Sequence, residues 1–404
     1  MREIAAFSAL KSPNFVYYFA GRSITQFGTW MQRTAVVWLI YSLTHSSFML
    51  GVTVFAEQFP SFLFSFVGGV VADRYDRSKI IKITQVAAVL QTVLLAVLLL
   101  LDHLVVWQIL ALSVLLGIIN AFDVPARQTL IHEVVNSNDD LPSALSLNSG
   151  MSSISKILGP AAAGFALEHL NVGWCFVFIA FAFSVVIYLF SKIKVTPKVY
   201  ASSGKNFFGE FKEGVNYLLE AKPIGLVILM LSVVGLLVLP YDTLLPELAK
   251  VTFKGGAATF GYIAGFIGLG AVVGTGVLAS VRNKDKLRYY LIFSTLFLGV
   301  GLICFSLTSN FYVALFFAVV TGFGTVMQFT CSNIIVQAES APAMRGRAIS
   351  ILLTAIFGMV PIGSLLTGLA SQYIGSQLTL LVQGSLAIII ALLFAKAFGL
   401  SKRR

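Results

Sequence analysis

The sequence predicts an all-α polytopic membrane protein: twelve transmembrane helices in two six-helix, pseudo-symmetric bundles. Three observations carry this. Hydrophobic residues make up 57% of the 404 and charged residues 11%, against roughly 45–50% and 25% in soluble domains. The apolar residues fall into long runs, and about 20 residues cross a hydrocarbon core about 30 Å thick. The basic residues lie almost wholly on one side of those runs.

The runs are near 14–42, 47–71, 79–101, 105–132, 141–167, 172–192, 223–243, 256–280, 287–308, 311–336, 346–371 and 376–396. An even number puts both termini on one side. Of the 28 Lys and Arg, only Lys250 and Lys254 fall on the far side; Arg22, Arg33 and Lys156 lie deep within spans, and Arg127 lies near the cytoplasmic end of one. The positive-inside rule then makes the N- and C-termini cytoplasmic. The same distribution accounts for the net charge of +11, so no nucleic-acid partner is expected. The opening MREIAAFSALKSPN has no small-residue cleavage site before the first span, and no cleavable signal is expected.

The chain divides into an N-terminal bundle (1–192), a cytoplasmic linker (193–222) and a C-terminal bundle (223–404). The linker segment FFGEFKEGVNYLLE, 207–220, reads either as an amphipathic helix on the membrane surface or as a solvated connection. The two bundles look like a parallel repeat. The fifth span carries LGPAAAG and the eleventh VPIGSLLTG. Gly159, Pro160 and Gly164 in one, and Pro361 and Gly363 in the other, are the expected bend positions. The glycine pairs Gly261/Gly265 and Gly270/Gly274 give small faces for close helix contact, assigned to packing within a monomer. Cys175, Cys304 and Cys331 fall within spans with no C-x-x-C spacing, and read as packing residues.

Several classes are excluded. There is no G-x-x-x-x-G-K-[ST] loop, no H-E-x-x-H and no G-x-S-x-G, so neither an ATP-driven pump nor an intramembrane enzyme is expected. His45, His103, His132 and His169 stand at or near span ends. No metal and no cofactor are predicted.

Ionisable residues inside a membrane are costly and are functional candidates. They are Arg22, Arg33, Glu57, Asp123, Arg127 and Lys156, all in the first half. Asp242 and Glu247 are expected at the interface, near the outer end of the seventh span. At 1.5 Å per residue, Arg22 lies about 12 Å, Asp123 roughly 14 Å and Glu57 about 21 Å from the cytoplasmic end of their spans. A buried carboxylate held by no cation has a raised pKa and can cycle a proton. Glu57 is the first candidate for proton coupling and Asp123 the second. For Glu57 a fixed ion pair with Arg33 or Lys156 is the competing reading; for Asp123 it is a local pair with Arg127, four residues on. Tyr17, Gln26, Gln32, Asn120, Gln328 and Asn333 are candidates for a substrate cavity, each with a helix-to-helix hydrogen bond as the alternative.

The loop GGVVADRYDRSK, 68–79, joins the second and third spans and reads G-x-x-x-D-R-x-x-R-x-K through Gly69, Asp73, Arg74, Arg77 and Lys79. In a chain of a dozen spans this resembles the signature loop of the major facilitator superfamily. AFDVPARQ (121–128), LNSG (147–150), GPAAAG (159–164) and the RGR turn (345–347) resemble a bacterial branch containing the enterobactin exporter and proton-driven drug and macrolide efflux proteins. The resemblance covers nearly the whole chain. It implies a cavity lined by helices one, four, seven and ten, where Arg22 and Asp123 would meet. It also implies a cytoplasmic gate, with Asp73 approaching the N-terminus of helix eleven, where Arg345 and Arg347 stand. Gly69 is expected to permit close helix contact. The antiporter motif of drug exporters is kept in Gly150, Gly159 and Pro160, but its last glycine comes one residue late, at Gly164.

The expectation is a secondary active transporter: a proton-coupled exporter of a small amphipathic molecule, a drug-like compound or siderophore, in the bacterial inner membrane. Its partners would be that substrate, protons and the lipid bilayer. A metabolite uptake carrier of the same fold and a non-transporting membrane sensor are the alternatives.

Overall fold

The computed structural model describes residues 5–194, 207–280, 286–342 and 344–399, and no strand occurs among them. Residues 195–206 of the linker, and residues 281–285 of the loop before the ninth span, lie outside the described residues. The helices are α1 (Pro13–Thr44), α2 (Ser47–Arg74), α3 (Arg77–Leu100), α4 (Val106–Val134), α5 (Leu141–His169), α6 (Val172–Ser191), α7 (Phe207–Glu220), α8 (Lys222–Leu237), α9 (Ala257–Ala279), α10 (Leu287–Leu307), α11 (Phe311–Glu339), α12 (Arg345–Ile374) and α13 (Ser376–Ala397). All but α7 fall on the predicted spans. Ten stretches are long and apolar enough to cross a membrane. The two remaining long helices, α1 and α5, are less apolar because they carry Arg22, Arg33, Lys156 and many Ser, Thr and Gln.

Local chemistry sets the boundaries. The Asp76 carboxylate accepts from the Ser78 and Lys79 amides at the start of α3. Asn171 and Asn310 cap α6 and α11 the same way; each satisfies an amide that has no partner inside the helix. Gly375 turns the chain from α12 to α13 at φ +81, a conformation that costs glycine little. The helices run on through Pro160 and Pro361. The seventh span differs from expectation. Its regular helix ends at Leu237, and the chain continues through a 3-10 stretch (Leu239–Leu244), a single turn (Leu245–Glu247) and a π turn (Leu248–Thr252). Pro240 and Pro246 supply no amide hydrogen to a regular ladder, so the span reaches nine residues beyond 243 in irregular form.

The described residues form two compact units: one from Met1–Thr44 and Ala56–Ser203, the other from His45–Phe55 and Gly204–Arg404. The first nine residues of α2 therefore group with the second unit, and the rest of that helix with the first. In the first unit α1 packs on α5 and α6, and α3 on α4 and α6. In the second, α11 packs on α9 and α10, α10 on α13, and α12 on α8. Helix α7 belongs to the second unit. Glu213 pairs with Arg347 at 2.7 Å, and the Tyr217 hydroxyl accepts from the Ala341 amide at 3.0 Å. It is a docked helix, where the sequence left a surface helix or a free linker open.

Both units use glycine for close approach in the same way. A Cβ at Gly117 would overlap the carbonyl oxygen of Glu57, and one at Gly322 the carbonyl oxygen of Ile267. Gly117 stands eleven residues after Val106, the start of α4, and Gly322 eleven after Phe311, the start of α11. Glu57 stands ten after Ser47, and Ile267 ten after Ala257. The α2–α4 and α9–α11 pairs are thus counterparts in a parallel repeat, and Ile267 occupies the place of Glu57. Gly270, of the expected small face, meets the Val319 backbone.

Candidate functional site

The interior of the first unit holds a polar network between α3 and α4. Arg127 is 1% exposed. Its Nε lies 2.5 Å from Asp123 Oδ2, and an Nη atom donates to Gln85 Oε1 at 2.7 Å. Thr84 Oγ1 donates to the other Asp123 oxygen at 2.8 Å. The Arg127 guanidinium lies 4.8 Å over the Phe190 ring, and the Tyr18 hydroxyl donates to its backbone carbonyl. Both Asp123 oxygens are thus engaged, one of them in the local ion pair. Arg22 lies within electrostatic reach of Arg127, Tyr18 and Asp123.

A second cluster is built around Trp30 of α1. The Arg33 guanidinium lies 5.7 Å and the Lys156 ammonium 5.5 Å from its ring centroid. Helix α5 comes in at Gly159, where a Cβ would stand 2.6 Å from that of Trp30. One indole thus receives two cations from two helices, a cation–π arrangement. Glu57 is buried on α2.

The cavity candidates divide. Gln32 donates to Gln91 at 2.8 Å, joining α1 to α3, and Gln26 to Ser152 at 3.3 Å, joining α1 to α5. Asn333 accepts from Gln337 one turn on. These three make helix contacts. Tyr17 is exposed and Asn120 half-buried. Gln328 is fully buried on α11, and neither atom of its amide has a hydrogen-bond partner.

In the 68–79 loop, Arg77 is 6% exposed and pairs with Glu133 at the end of α4, which the sequence did not single out. Its Nε also donates to the Ala72 carbonyl at 3.1 Å, and Asp73 lies 4.0 Å away. Asp73, Arg74 and Lys79 are exposed, as is Arg345. The expectation for Gly69 is corrected. A Cβ there would meet nothing within 4 Å, whereas one at Gly68 would overlap the Ala121 carbonyl. Neighbouring helical residues point about 100° apart, so a GG pair does not reveal from sequence which member faces the partner. In the second unit Arg288, at the start of α10, pairs with Glu339, at the end of α11, at 2.6 Å. This is the topological counterpart of Arg77–Glu133.

Glu247, at the outer end of the seventh span, is buried within the protein and accepts hydrogen bonds from the Ser47 and Ser371 hydroxyls. The irregular end of the seventh span turns it inward.

Twelve helices in two repeated units, with charges confined to particular helices, define a multi-pass membrane transporter. The chain belongs to the major facilitator superfamily, in the family described as transmembrane secretion effectors, which matches residues 4–403. It is 26% identical over 388 residues to the staphyloferrin A transporter of Staphylococcus aureus, covering 94% of each chain. It is 23% identical over 386 residues to macrolide efflux protein A of Streptococcus pyogenes, again covering 94% of each. To the enterobactin exporter EntS of Shigella flexneri it is 25% identical over 344 residues, 84% of this chain and 81% of that one. Among solved structures, a point mutant of the nucleoside transporter NupG superposes with a TM-score of 0.75 at 12% identity, covering 96% and 99% of the two chains. A bacterial homologue of the lysosomal transporter Spinster, inward-facing and occupied, gives 0.74 at 15%, covering 97% and 99%. These structural likenesses establish the fold. The members are transporters, and the chain is not an enzyme.

Proposed function

We propose that this chain is a proton-coupled exporter of a small amphipathic molecule, a drug-like compound or a siderophore, working as a monomer by alternating access. The relatives named for macrolide efflux and for siderophore transport support the cargo class. The distribution of Lys and Arg supports a bacterial inner-membrane protein with cytoplasmic termini. The observation that carries the coupling is the Glu57–Ile267 difference. At one pair of repeated positions, with the same glycine packed over the same carbonyl, one unit has a buried carboxylate and the other a hydrocarbon. Backbone packing does not require that carboxylate, and a buried carboxylate is expensive in a membrane. Glu57 is therefore the proton carrier in this reading, while Asp123 fixes Arg127. Asp73, Arg74, Arg77 and Lys79 are gate residues of the first unit and Arg345 and Arg347 of the second, and Arg77 is positioned by Glu133.

The test is substrate-dependent proton movement in liposomes with a trapped pH dye. The panel is hydrophobic cations, macrolides, and catecholate and carboxylate siderophores. Glu57→Gln is expected to lose proton-driven transport and keep substrate exchange. Full proton-driven efflux in that variant would overturn the coupling role. Uptake driven by an inward proton gradient would replace export by import.

A further inference from the structure

The contact between α1 and α5 recurs in the second unit, between the seventh span and α12. A Cβ at Gly159 would stand 3.4 Å from the Phe27 carbonyl oxygen, and one at Gly363 would overlap that of Leu236. Gly159 stands eighteen residues after Leu141, the start of α5, and Gly363 eighteen after Arg345, the start of α12. Phe27 stands fourteen after Pro13, and Leu236 fourteen after Lys222, the starts of α1 and α8. The same two glycines also meet Met31 and Pro240, again equivalent positions. On this register Leu239 takes the place of Trp30, Asp242 that of Arg33 and Val360 that of Lys156. The second unit packs the contact without an indole and without a cation. Close helix approach therefore does not require Trp30, Arg33 and Lys156.

Their position is costly. Arg33 lies eleven residues before Thr44 and Lys156 thirteen before His169, about 17 and 20 Å from the nearer ends of their helices at 1.5 Å per residue. A cation–π contact offsets only part of what a Lys or Arg costs at such depth, so the Trp30 ring alone does not account for two of them. Charge points the same way. Within its spans the first unit carries Arg22, Arg33, Arg127 and Lys156 against Glu57 and Asp123. Arg127 takes Asp123, so the interior stays cationic whichever group Glu57 meets. The cluster is also open. Lys156 is exposed, and Trp30 and Arg33 are half-buried. One turn along the same faces, Gln26 donates to Ser152, which adds polar groups beside it.

We propose that Trp30, Arg33 and Lys156 form a carboxylate-binding subsite, so that the cargo is an amphipathic organic anion and not a cationic drug. The Arg33 guanidinium offers paired N–H groups that match a carboxylate. Lys156 supplies a second positive charge from the other helix. The indole gives the carbon skeleton an apolar face, and the two cations repel a cationic ligand. The inference rests on the exporter reading of the protein and narrows its cargo class.

The test is equilibrium binding to the full chain in nanodiscs, with radiolabelled salicylate as the probe and empty nanodiscs subtracted. Salicylate is expected to bind saturably, to be displaced by citrate and to be unaffected by tetraphenylphosphonium. Arg33→Gln and Lys156→Gln should each weaken it roughly tenfold, the loss of a charge-assisted hydrogen bond. Arg33→Lys and Lys156→Arg keep the charge and should stay within a few-fold of the parent, which preserves the test if a neutral variant does not fold. Trp30→Leu, the residue of the second unit, should weaken salicylate more than citrate. Absence of saturable salicylate binding, displacement by tetraphenylphosphonium, or unchanged affinity in the Arg33→Gln/Lys156→Gln double variant would each overturn the proposal. No proton gradient enters this measurement. Salicylate binding without proton-driven transport tells against the exporter reading alone, and driven transport of a macrolide without salicylate binding tells against the subsite alone.

Discussion

The two units make the same bonds with different burial and different charge. Arg77–Glu133 and Arg288–Glu339 both join the start of one helix to the end of the next, but the first pair is 6% and 7% exposed and the second 31% and 37%. Gly117 and Gly322 cover equivalent carbonyls, but one belongs to Glu57 and the other to Ile267. The repeat has kept its backbone contacts and its helix-end ion pair while its interior chemistry has diverged. Arg22, Arg33, Glu57, Asp123, Arg127 and Lys156 all stand in helices of the first unit. In the second, Glu247 is the buried ionisable residue within the described spans. Packing is thus a shared inheritance of both units, while most of the buried charge belongs to one. That is the expected pattern if the first unit handles protons and the second offers an apolar wall to the cargo.

Four sets of substitutions, seven in all, test the comparison, from the largest effect to the smallest. Removing one partner of a buried ion pair leaves an uncompensated charge, at a cost of about 3–5 kcal/mol, while an exposed pair contributes about 0–1 kcal/mol. Arg127→Ala and Glu133→Ala should therefore lower thermal stability in detergent severely, and Glu339→Ala hardly at all; equal losses would show that burial does not distinguish the pairs. Ile267→Glu places a carboxylate at mid-span in the apolar unit and should cost about 2.5–3.5 kcal/mol, read as lost membrane insertion or stability. Tolerance of that change would mean the second unit can house a charge as readily as the first. Gly117→Ala and Gly322→Ala should each cost about 1–3 kcal/mol by overpacking, and similarly in both units; a large disparity in thermal stability would break the repeat. Glu213→Ala, which removes one exposed partner of Arg347, should change stability by about 0.2–1 kcal/mol, with partial release of α7 visible as faster hydrogen exchange.

Much of this was legible in the sequence. Apolar runs bounded by turns placed eleven of the twelve long helices to within three residues, the seventh being the exception, because a membrane permits little besides helices. The charged interior of the first half was visible too, since six ionisable residues in apolar runs stand out against their surroundings. Pairing was harder to read. Glu133 looked like an ordinary residue near a span end, and only the fold brings it to Arg77, 56 positions earlier. The Asp123–Arg127 pair was available from i,i+4 spacing alone, but Thr84 and Gln85 come from another helix. The inward orientation of Glu247 was not legible because two prolines turn the seventh span into irregular helix, and a periodicity of 3.6 no longer says which way a side chain points. The grouping of His45–Phe55 with the second unit had no sequence signal, since α2 is one unbroken helix.

The most direct test of the central claim is a double comparison of proton movement in liposomes, with Glu57→Gln beside Ile267→Gln at the equivalent position. The account predicts that Glu57→Gln abolishes substrate-dependent proton flux while exchange continues, and that Ile267→Gln leaves the flux in place. Undiminished flux in Glu57→Gln, or equal loss in both, would contradict a division of labour in which the first unit carries the proton.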